Sequence, residues 1–389
     1  MQDRRWDIKS ARFVLGLVLI LGCVKDVQGD AIQISSPGRP SITIGVCLPL
    51  SGNFSEMGKS QRNAIAIANK LRPMVGNIRV SLFFKDSLGS ATGARDTGMA
   101  LSERDDVGGI IGGATTEEAG AILEGMEKSK KRNSLKMPVI ITTGAGPLAS
   151  EYGFMWRVCS PLTDHARACA RFAMKHLKGR RVGILLDPDD RTSVRLASLF
   201  SSALIGLGGT MIEIAYIHKA DEDYGNVVHL SKKKPEIIYI PYSEVCTKVI
   251  AYARSHGVKT PFLVSNVYRE SAFMHAVGSV KDVYLITDFH PDIAHAERAR
   301  QFMEEFRKTG GVVDTNAALA ADAYFLLTDA LEMVTRKEKN PMRVEIPTFQ
   351  SSDYLSGNLK VDRLGMIVRD MYASIVQGAR LKYLDTIRP

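Results

Sequence analysis

Short apolar segments alternate with helical patterns along most of this chain. Such a rhythm forces parallel sheets with helices on both faces, and right-handed crossovers make each sheet doubly wound. The fold class predicted is therefore α/β. The predicted strands cover residues 43–48, 79–85, 109–111, 138–142, 181–186, 211–217, 237–240, 262–264 and 283–286. The predicted helices between them cover residues 90–104, 116–128, 163–177, 193–207, 224–230, 244–256 and 269–277.

The rhythm breaks at two places, which divide the chain. After residues 155–158, a Ser160-Pro161 step precedes a new set of strand–helix units. After residues 285–287, two long helices over 294–308 and 317–336 follow each other without a strand between them. The chain after its leader has about 350 residues, which is more than a single hydrophobic core usually contains, so we expect two domains.

The first 29 residues are typical of a secretion signal. A basic stretch precedes an apolar stretch over residues 13–22, which is too short to span a bilayer. The sequence is compatible with two cleavage sites. Cleavage before Cys23 would leave a lipid-modified cysteine, because the preceding segment approximates a lipid-attachment box, and cleavage after Gly29 would suit ordinary signal peptidase. Residues 30–41 are predicted to be a tether. We expect the mature protein in the periplasm, or anchored by lipid at Cys23 outside the cytoplasmic membrane.

Charge and cysteine usage exclude several classes of partner. The formal net charge is +9, and the four basic and two acidic residues before residue 23 leave +7 for the rest. That charge is dispersed without aromatic interleaving, so no nucleic-acid partner is expected. Cys47, Cys159, Cys169 and Cys246 lack metal-ligand spacing, and no metal is predicted. An oxidising compartment permits a disulfide bridge between Cys159 and Cys169, and the sequence is equally compatible with two free thiols.

The chain lacks the sequence motifs of common catalytic sites. It contains no Gly-x-Ser-x-Gly elbow, no Walker loop and no paired-histidine metal motif. The glycine-rich segment 108–113 lacks the dinucleotide fingerprint and the acidic residue that should follow it. We therefore predict that the protein is not an enzyme and needs no cofactor.

The first strand of the mature chain leads into a polar loop. The apolar run that begins at Ile42 stops at Pro49, a Ser51-Gly52 loop follows, and a helical pattern begins near Lys59. A parallel strand that feeds a helix places such a loop at the carboxyl edge of the sheet. Open α/β sheets bind small ligands at that edge.

The order and spacing of five segments resemble the leucine/isoleucine/valine-type periplasmic binding proteins. The resemblance covers residues 42–378. The segments are the strand and loop over 42–58, the Ile-Ile-Gly strand with its hydroxyl loop over 108–116, the strand over 137–142, Trp156-Arg157-Val158 and the late hairpin over 356–365.

This resemblance implies a type I periplasmic-binding clamshell, with two doubly wound parallel-sheet lobes and a hinge of three crossings. Lobe one would contain residues 42–157 and 287–338, and lobe two residues 158–286 and 339–389. The ligand would lie in the cleft between them, and the hinge would close the lobes on it.

Three loops of lobe one are expected to contact the ligand. The hydroxyls of Thr115 and Thr116 and the first amides of the next helix suit a carboxylate, although either threonine could simply cap its helix. Gly144, Ala145 and Gly146 would let a ligand approach the backbone. Gly146 replaces a family Ser or Thr, which argues against an α-amino acid. Met57 falls where the family often has an aromatic residue, and core packing is an equal alternative.

Lobe two departs more from the family. Arg191 suits an anionic group of the ligand, with pairing to Asp189 or Asp190 as the alternative. Tyr242 is expected to line the cleft with its ring or to pack beneath it. Asn266 stands where amino-acid binders carry a carboxylate for the ligand's ammonium group. We therefore predict that branched-chain amino acids are not the preferred ligands.

These features favour an exported solute-binding protein. It would capture a small polar or amphipathic molecule, such as an amino acid, an amide or an organic acid, and deliver it to an ABC permease at the inner membrane. The alternative on the same fold is an extracytoplasmic ligand-sensing module for a membrane receptor. A neighbouring permease gene would favour transport, and a neighbouring kinase gene would favour sensing. An exported enzyme of doubly wound fold is the third interpretation.

Overall fold

Two parallel sheets, each covered by helices on both faces, organise the chain into two lobes. The computed structural model describes residues 40–130, 137–144, 154–221, 223–241, 245–265, 270–337, 349–361 and 367–388. The predicted signal segment lies outside these ranges. The predicted α/β fold class and its two parallel-sheet lobes are confirmed.

The first lobe is built on a six-stranded sheet. Its strands are parallel except at the β2 edge. In spatial order they are β2 (Met74–Val75), β3 (Ile78–Asp86), β1 (Ser41–Leu48), β4 (Val107–Gly112), β5 (Val139–Ile141) and β6 (Met155–Arg157). The helices of this lobe are α1 (Ser55–Leu71), α2 (Ala91–Ser102), α3 (Thr116–Lys128), α9 (Glu297–Arg307) and α10 (Thr315–Lys337).

The second lobe is built on a seven-stranded sheet, whose last two strands run antiparallel to the rest. In spatial order its strands are β16 (Arg380–Ile387), β15 (Met371–Gln377), β11 (Val283–Thr287), β10 (Phe262–Ser265), β9 (Ile237–Ile240), β7 (Arg181–Leu186) and β8 (Thr210–Tyr216). The helices of this lobe are α4 (Leu162–Lys175), α5 (Arg191–Gly206), α6 (Gly225–Lys232), α7 (Cys246–Ser255) and α8 (Glu270–Val277).

Both faces of the central strands are buried, which explains why they are apolar at nearly every position. In β1, Ile44 and Val46 face the core beneath α1, α9 and α10, whereas Cys47 faces the core beneath α2 and α3. In β7, Ile184 faces α4 and α5, and Leu185 faces α6 and α7. Each such fully buried aliphatic side chain contributes about 1.5–3 kcal/mol.

A small antiparallel sheet packs on the first lobe. Its strands are β12 (Phe349–Tyr354), β13 (Gly357–Val361) and β14 (Ile367–Arg369). Leu355, Leu359 and Val361 join the core that contains the alanine-rich face of α10. The predicted lobe boundaries place this range in lobe two, together with β15 and β16. We propose instead that it belongs to lobe one, and that the second part of lobe two begins at β15.

The chain passes between the two large sheets three times. It leaves the first sheet between β6 and α4, returns to the first lobe between β11 and α9, and leaves it again between β14 and β15. These three short segments form the hinge.

Three strands follow residue 366 within the described ranges. The first two, β14 and β15, are divided at Asp370. Gly378 lies in a left-handed conformation (φ 61°) in the turn to β16. Cys159 and Cys169 are both buried free thiols, so the bridge left open by the sequence does not form.

Candidate functional site

The loops after β4 and β5 meet at the carboxyl edge of the first sheet. The Gly144 N–H donates to the Gly113 carbonyl (2.9 Å), and the Thr143 hydroxyl donates to the Ala114 carbonyl (2.7 Å). A Cβ atom at residue 144 would lie 2.7 Å from the Thr115 carbonyl oxygen. Glycine is therefore required for this close approach, and the two loops form one rigid wall.

Thr115 caps helix α3 rather than projecting freely. Its hydroxyl accepts a hydrogen bond from the Glu118 N–H (3.2 Å), while the Glu118 carboxylate accepts from the Thr115 N–H (3.3 Å). This reciprocal capping box fixes the N-terminus of α3. The predicted alternative role of Thr115, as a cap, is present in the structure. Thr116 is half-buried in the first turn, where the helix amides and the helix dipole favour an anion.

Two buried polar residues that the sequence analysis did not select support this wall. The Ser87 hydroxyl donates to the Glu118 carboxylate, and burial is the main cause that raises the Glu118 pKa. From α1, the Gln61 side-chain amide donates to the Thr143 hydroxyl (3.1 Å) and its oxygen accepts from the Thr142 hydroxyl (3.4 Å). The spacing of Thr115 and Glu118 indicates only their capping box, and no local pattern in the sequence indicates the contacts of Ser87 or Gln61.

Met57 lies in the first turn of α1 and is only 4% exposed. The next residue, Gly58, is close to the chain at Pro49, because a Cβ atom at residue 58 would lie 2.0 Å from the Pro49 carbonyl oxygen. The first turn of α1 is therefore packed tightly beneath the loop that follows β1.

The opposite wall is formed at the end of β7. Asp190 caps α5 by accepting from the Ser193 N–H (2.7 Å), and Asp189 pairs with His218 Nδ1 (2.9 Å). Asp187 is buried and accepts from the Asp189 N–H (3.1 Å). Arg191 is exposed at the start of α5 and makes no ion pair with the described residues. Its two predicted carboxylate partners are thus engaged elsewhere.

The first turn of α3 and the N-cap of α5 belong to different lobes. Burial raises the pKa of Asp190, and the charge of Glu117 in the first turn of α3 adds to that rise. Arg157, buried at the end of β6, adds a cation at the same edge of the first sheet. These positive groups lie near carboxylates, namely Glu117 in the first turn of α3 and Asp187 and Asp190 at the end of β7.

Four predicted site residues fall outside the described ranges, namely Ala145, Gly146, Tyr242 and Asn266. The structure brings Thr115, Thr116 and Gly144 together at one wall and places Arg191 on the other lobe.

One guanidinium ties the three hinge segments together. Arg369 is buried and donates to the carbonyl oxygens of Val158, Asp288 (2.7 Å) and Ser356 (3.1 Å). Asp288 in turn accepts from the N–H (3.0 Å) and the hydroxyl of Ser160. Each crossing between the lobes thus contributes a group to one network.

The described residues contain no group of three or more His, Cys, Asp or Glu side chains placed to hold a metal ion. In the same ranges, every helix is too short or too polar to cross a bilayer.

Comparison with known proteins identifies relatives of this architecture. A model of the periplasmic binding protein family matches residues 41–377. The leucine-binding protein LivK from Thermotoga maritima has a similar structure (TM-score 0.78, 25% identity), which covers 90% of this chain and 99% of that chain. None of the curated protein sequences matches the chain.

Two other solved structures were determined with a bound solute. LivJ from Streptococcus pneumoniae, a branched-chain amino acid transporter substrate-binding protein in complex with isoleucine, has a TM-score of 0.77 at 16% identity and covers 90% of this chain and 100% of that chain. A solute-binding protein of an ABC transporter from R. palustris, in complex with 4-hydroxybenzoate, has a TM-score of 0.75 at 16% identity, with 90% and 97% covered.

Proposed function

Because the chain belongs to the periplasmic binding protein family, we propose that it is exported and captures a small organic acid between its lobes for an ABC permease. It is a binding protein and not an enzyme. The observation that carries the proposal is the N-terminus of α3 at the carboxyl edge of the first sheet, together with the exposed guanidinium of Arg191 at the start of α5 in the other lobe. Closure of the hinge would bring both walls onto the solute and expel water.

The carboxylate of the solute would bind at the N-terminus of α3. Thr116 and the first amides of the helix supply donors there, and Gly144 keeps the neighbouring loop packed against the start of the helix. Arg191 from the other lobe would pair with the same carboxylate or with a second anionic group.

An aromatic or other organic acid is preferred over a branched-chain amino acid in this proposal. Asn266 supplies no charge for an ammonium group. Asp187, the buried carboxylate at the second wall, is held in its own turn by the Asp189 N–H. An organic acid without an ammonium group brings no cation into the cleft, so no carboxylate partner for a buried cation is needed.

Isothermal titration calorimetry with 4-hydroxybenzoate, benzoate, leucine and isoleucine tests the ligand class. We expect one of the aromatic acids to bind at least about tenfold more tightly than either amino acid. Tight binding of leucine or isoleucine would refute the preference, and no binding by the whole panel would refute this choice of ligand class.

Two charge variants test the site itself. Thr116→Asp should weaken binding of the acid about tenfold or more, because like charges in an interface cost several kcal/mol. An acidic residue in the first turn also stabilises a helix, so the fold is retained. Arg191→Glu should weaken binding similarly, whereas Arg195→Glu, an exposed residue one turn further along α5, is the matched control. Unchanged affinity in Thr116→Asp would place the carboxylate elsewhere.

A further inference from the structure

A hydrogen bond joins α8 of the second lobe to the start of α10 in the first lobe. The Thr315 N–H, the first of α10, donates to the Glu270 carboxylate at 2.9 Å. Phe273 on α8 is buried in the second lobe's core, whereas Ala317 and Ala318 on α10 are buried in the first lobe's core. The contact is therefore present only when the lobes are together.

The groups around Glu270 make this contact depend on charge. Glu270 is 4% exposed, and no described cation pairs with it. The negative charge of Asp314, which lies directly before α10, disfavours the ionised form of Glu270. The Asp314 carboxylate accepts from the Ala317 N–H (2.8 Å) and, from α1, from the Ser60 hydroxyl (3.5 Å).

None of the described neighbours of this contact forms an ion pair with either carboxyl group. The Asn316 side chain donates to Asp314 (3.4 Å) and carries no charge. On α8 itself, His275 lies on the exposed side of the helix, and Lys59 on α1 is also exposed. Arg269 lies outside the described residues. Two acids thus approach each other across the lobes, and Glu270 is buried whereas Asp314 is half-buried.

We propose that Glu270 and the N-terminus of α10 form a proton-dependent latch, in which a protonated Glu270 holds the lobes together and an ionised Glu270 releases them. The pH-dependent opening of the lobes is inferred from the contact between Glu270 and Thr315. Its effect on the release of a solute rests on the proposed function.

The direction of the effect follows from the two states of Glu270. In the closed form, burial and then the charge of Asp314 raise the pKa of Glu270 to about 7. In the open form the carboxyl group meets water, and its pKa returns to about 4.3. The closed form therefore keeps a proton that the open form loses as the pH rises from about 4.3 to about 7.

The ratio of closed to open molecules falls across that window and is constant above it. Each pH unit within the window changes the ratio by up to tenfold, so the upper limit of the change is about 500-fold. Acidification should close the protein in the absence of any solute.

Distance measurements on the solute-free protein test the latch directly. Spin labels at Gly120→Cys on α3 and Ser198→Cys on α5 report the gap between the lobes, since both positions are exposed. The four native thiols in the described chain are buried and do not compete for the label. We expect the distribution of distances to shift toward the closed state between pH 8.5 and pH 5.5.

Three variants separate the latch from other effects of pH. Glu270→Gln keeps an acceptor for the Thr315 N–H without a charge, so it should be closed at both pH values. Glu270→Ala removes the acceptor and should be open at both. Glu304→Gln, an acid-to-amide change on α9, should respond like the wild type.

Asp314→Asn supplies an independent readout that does not alter Glu270. Asn caps a helix as well as Asp does, but it removes the charge that acts on Glu270. The midpoint of closure should therefore move to lower pH. A wild-type distance that is equal at both pH values, or a Glu270→Gln protein that keeps the wild-type pH response, would overturn the proposal. These measurements use no solute, so their failure leaves the calorimetric test of the proposed function intact.

Discussion

Replacing Arg369 with methionine is the most direct test of the hinge network. The side chain is 3% exposed and donates to three carbonyl groups, one in each of the segments that contain Val158, Asp288 and Ser356. Methionine fills much of the same volume but donates no hydrogen bond. The carbonyl groups and the Asp288 carboxylate would remain buried without their cation, whose Nε lies 3.9 Å from the Asp288 carboxylate.

The expected loss is about 3–5 kcal/mol of folding free energy, which is the usual cost of removing one partner from a buried charge pair. Domains of ordinary stability have about 5–15 kcal/mol available, so the variant should fold but melt at a lower temperature. Arg369→Lys keeps the charge with a different set of donors and should lose less.

Differential scanning calorimetry is the suitable assay, because it records the unfolding of each lobe where the two do not unfold together. Arg380→Met, an exposed change of the same type on β16, is the control and should alter stability by less than about 0.5 kcal/mol. A loss below about 1 kcal/mol in Arg369→Met would refute the idea that this guanidinium holds the three crossings together.

Two further predictions concern local features of the second lobe and the buried thiols. Asp190→Ala removes the cap of α5 and should cost about 1 kcal/mol of unfolding free energy, measured by urea titration, whereas Asp190→Ser should restore most of it because serine is also a good cap. Burial raises the pKa of Cys159 and Cys169 to about 12, so neither should react with a thiol reagent at pH 8 until urea unfolds the protein. Rapid labelling of the native protein would contradict that expectation.

The central strands were predictable because both of their faces are buried. The predicted runs at 181–186 and 237–240 coincide with β7 and β9, where nearly every side chain enters a core. The missed strands lack that signal. β2 and β6 have two and three residues, too few to show a period, and β16 alternates between exposed and half-buried positions as an edge strand does.

The candidate site was predictable only where it depends on local sequence. Thr115 and Glu118 are three residues apart, so their capping box can be recognised without a structure. Gln61 contacts Thr143 across 82 positions of the chain, and no residue pattern near either one indicates the other. The loops that end neighbouring strands can be predicted to meet, whereas the side chains that fix their geometry cannot.

The groups that we propose to control lobe movement lie furthest from any sequence pattern. Arg369 reaches Val158 across 211 residues, and Glu270 reaches Thr315 across 45. In both cases a buried ionisable side chain bonds to the backbone of another segment, so its partner has no side-chain signature at all. Family resemblance predicts that such a protein closes, because the fold and its three crossings are shared. The free energy of closing depends on these individual contacts, and relatives of similar fold can therefore differ in the pH and solute concentration at which they close.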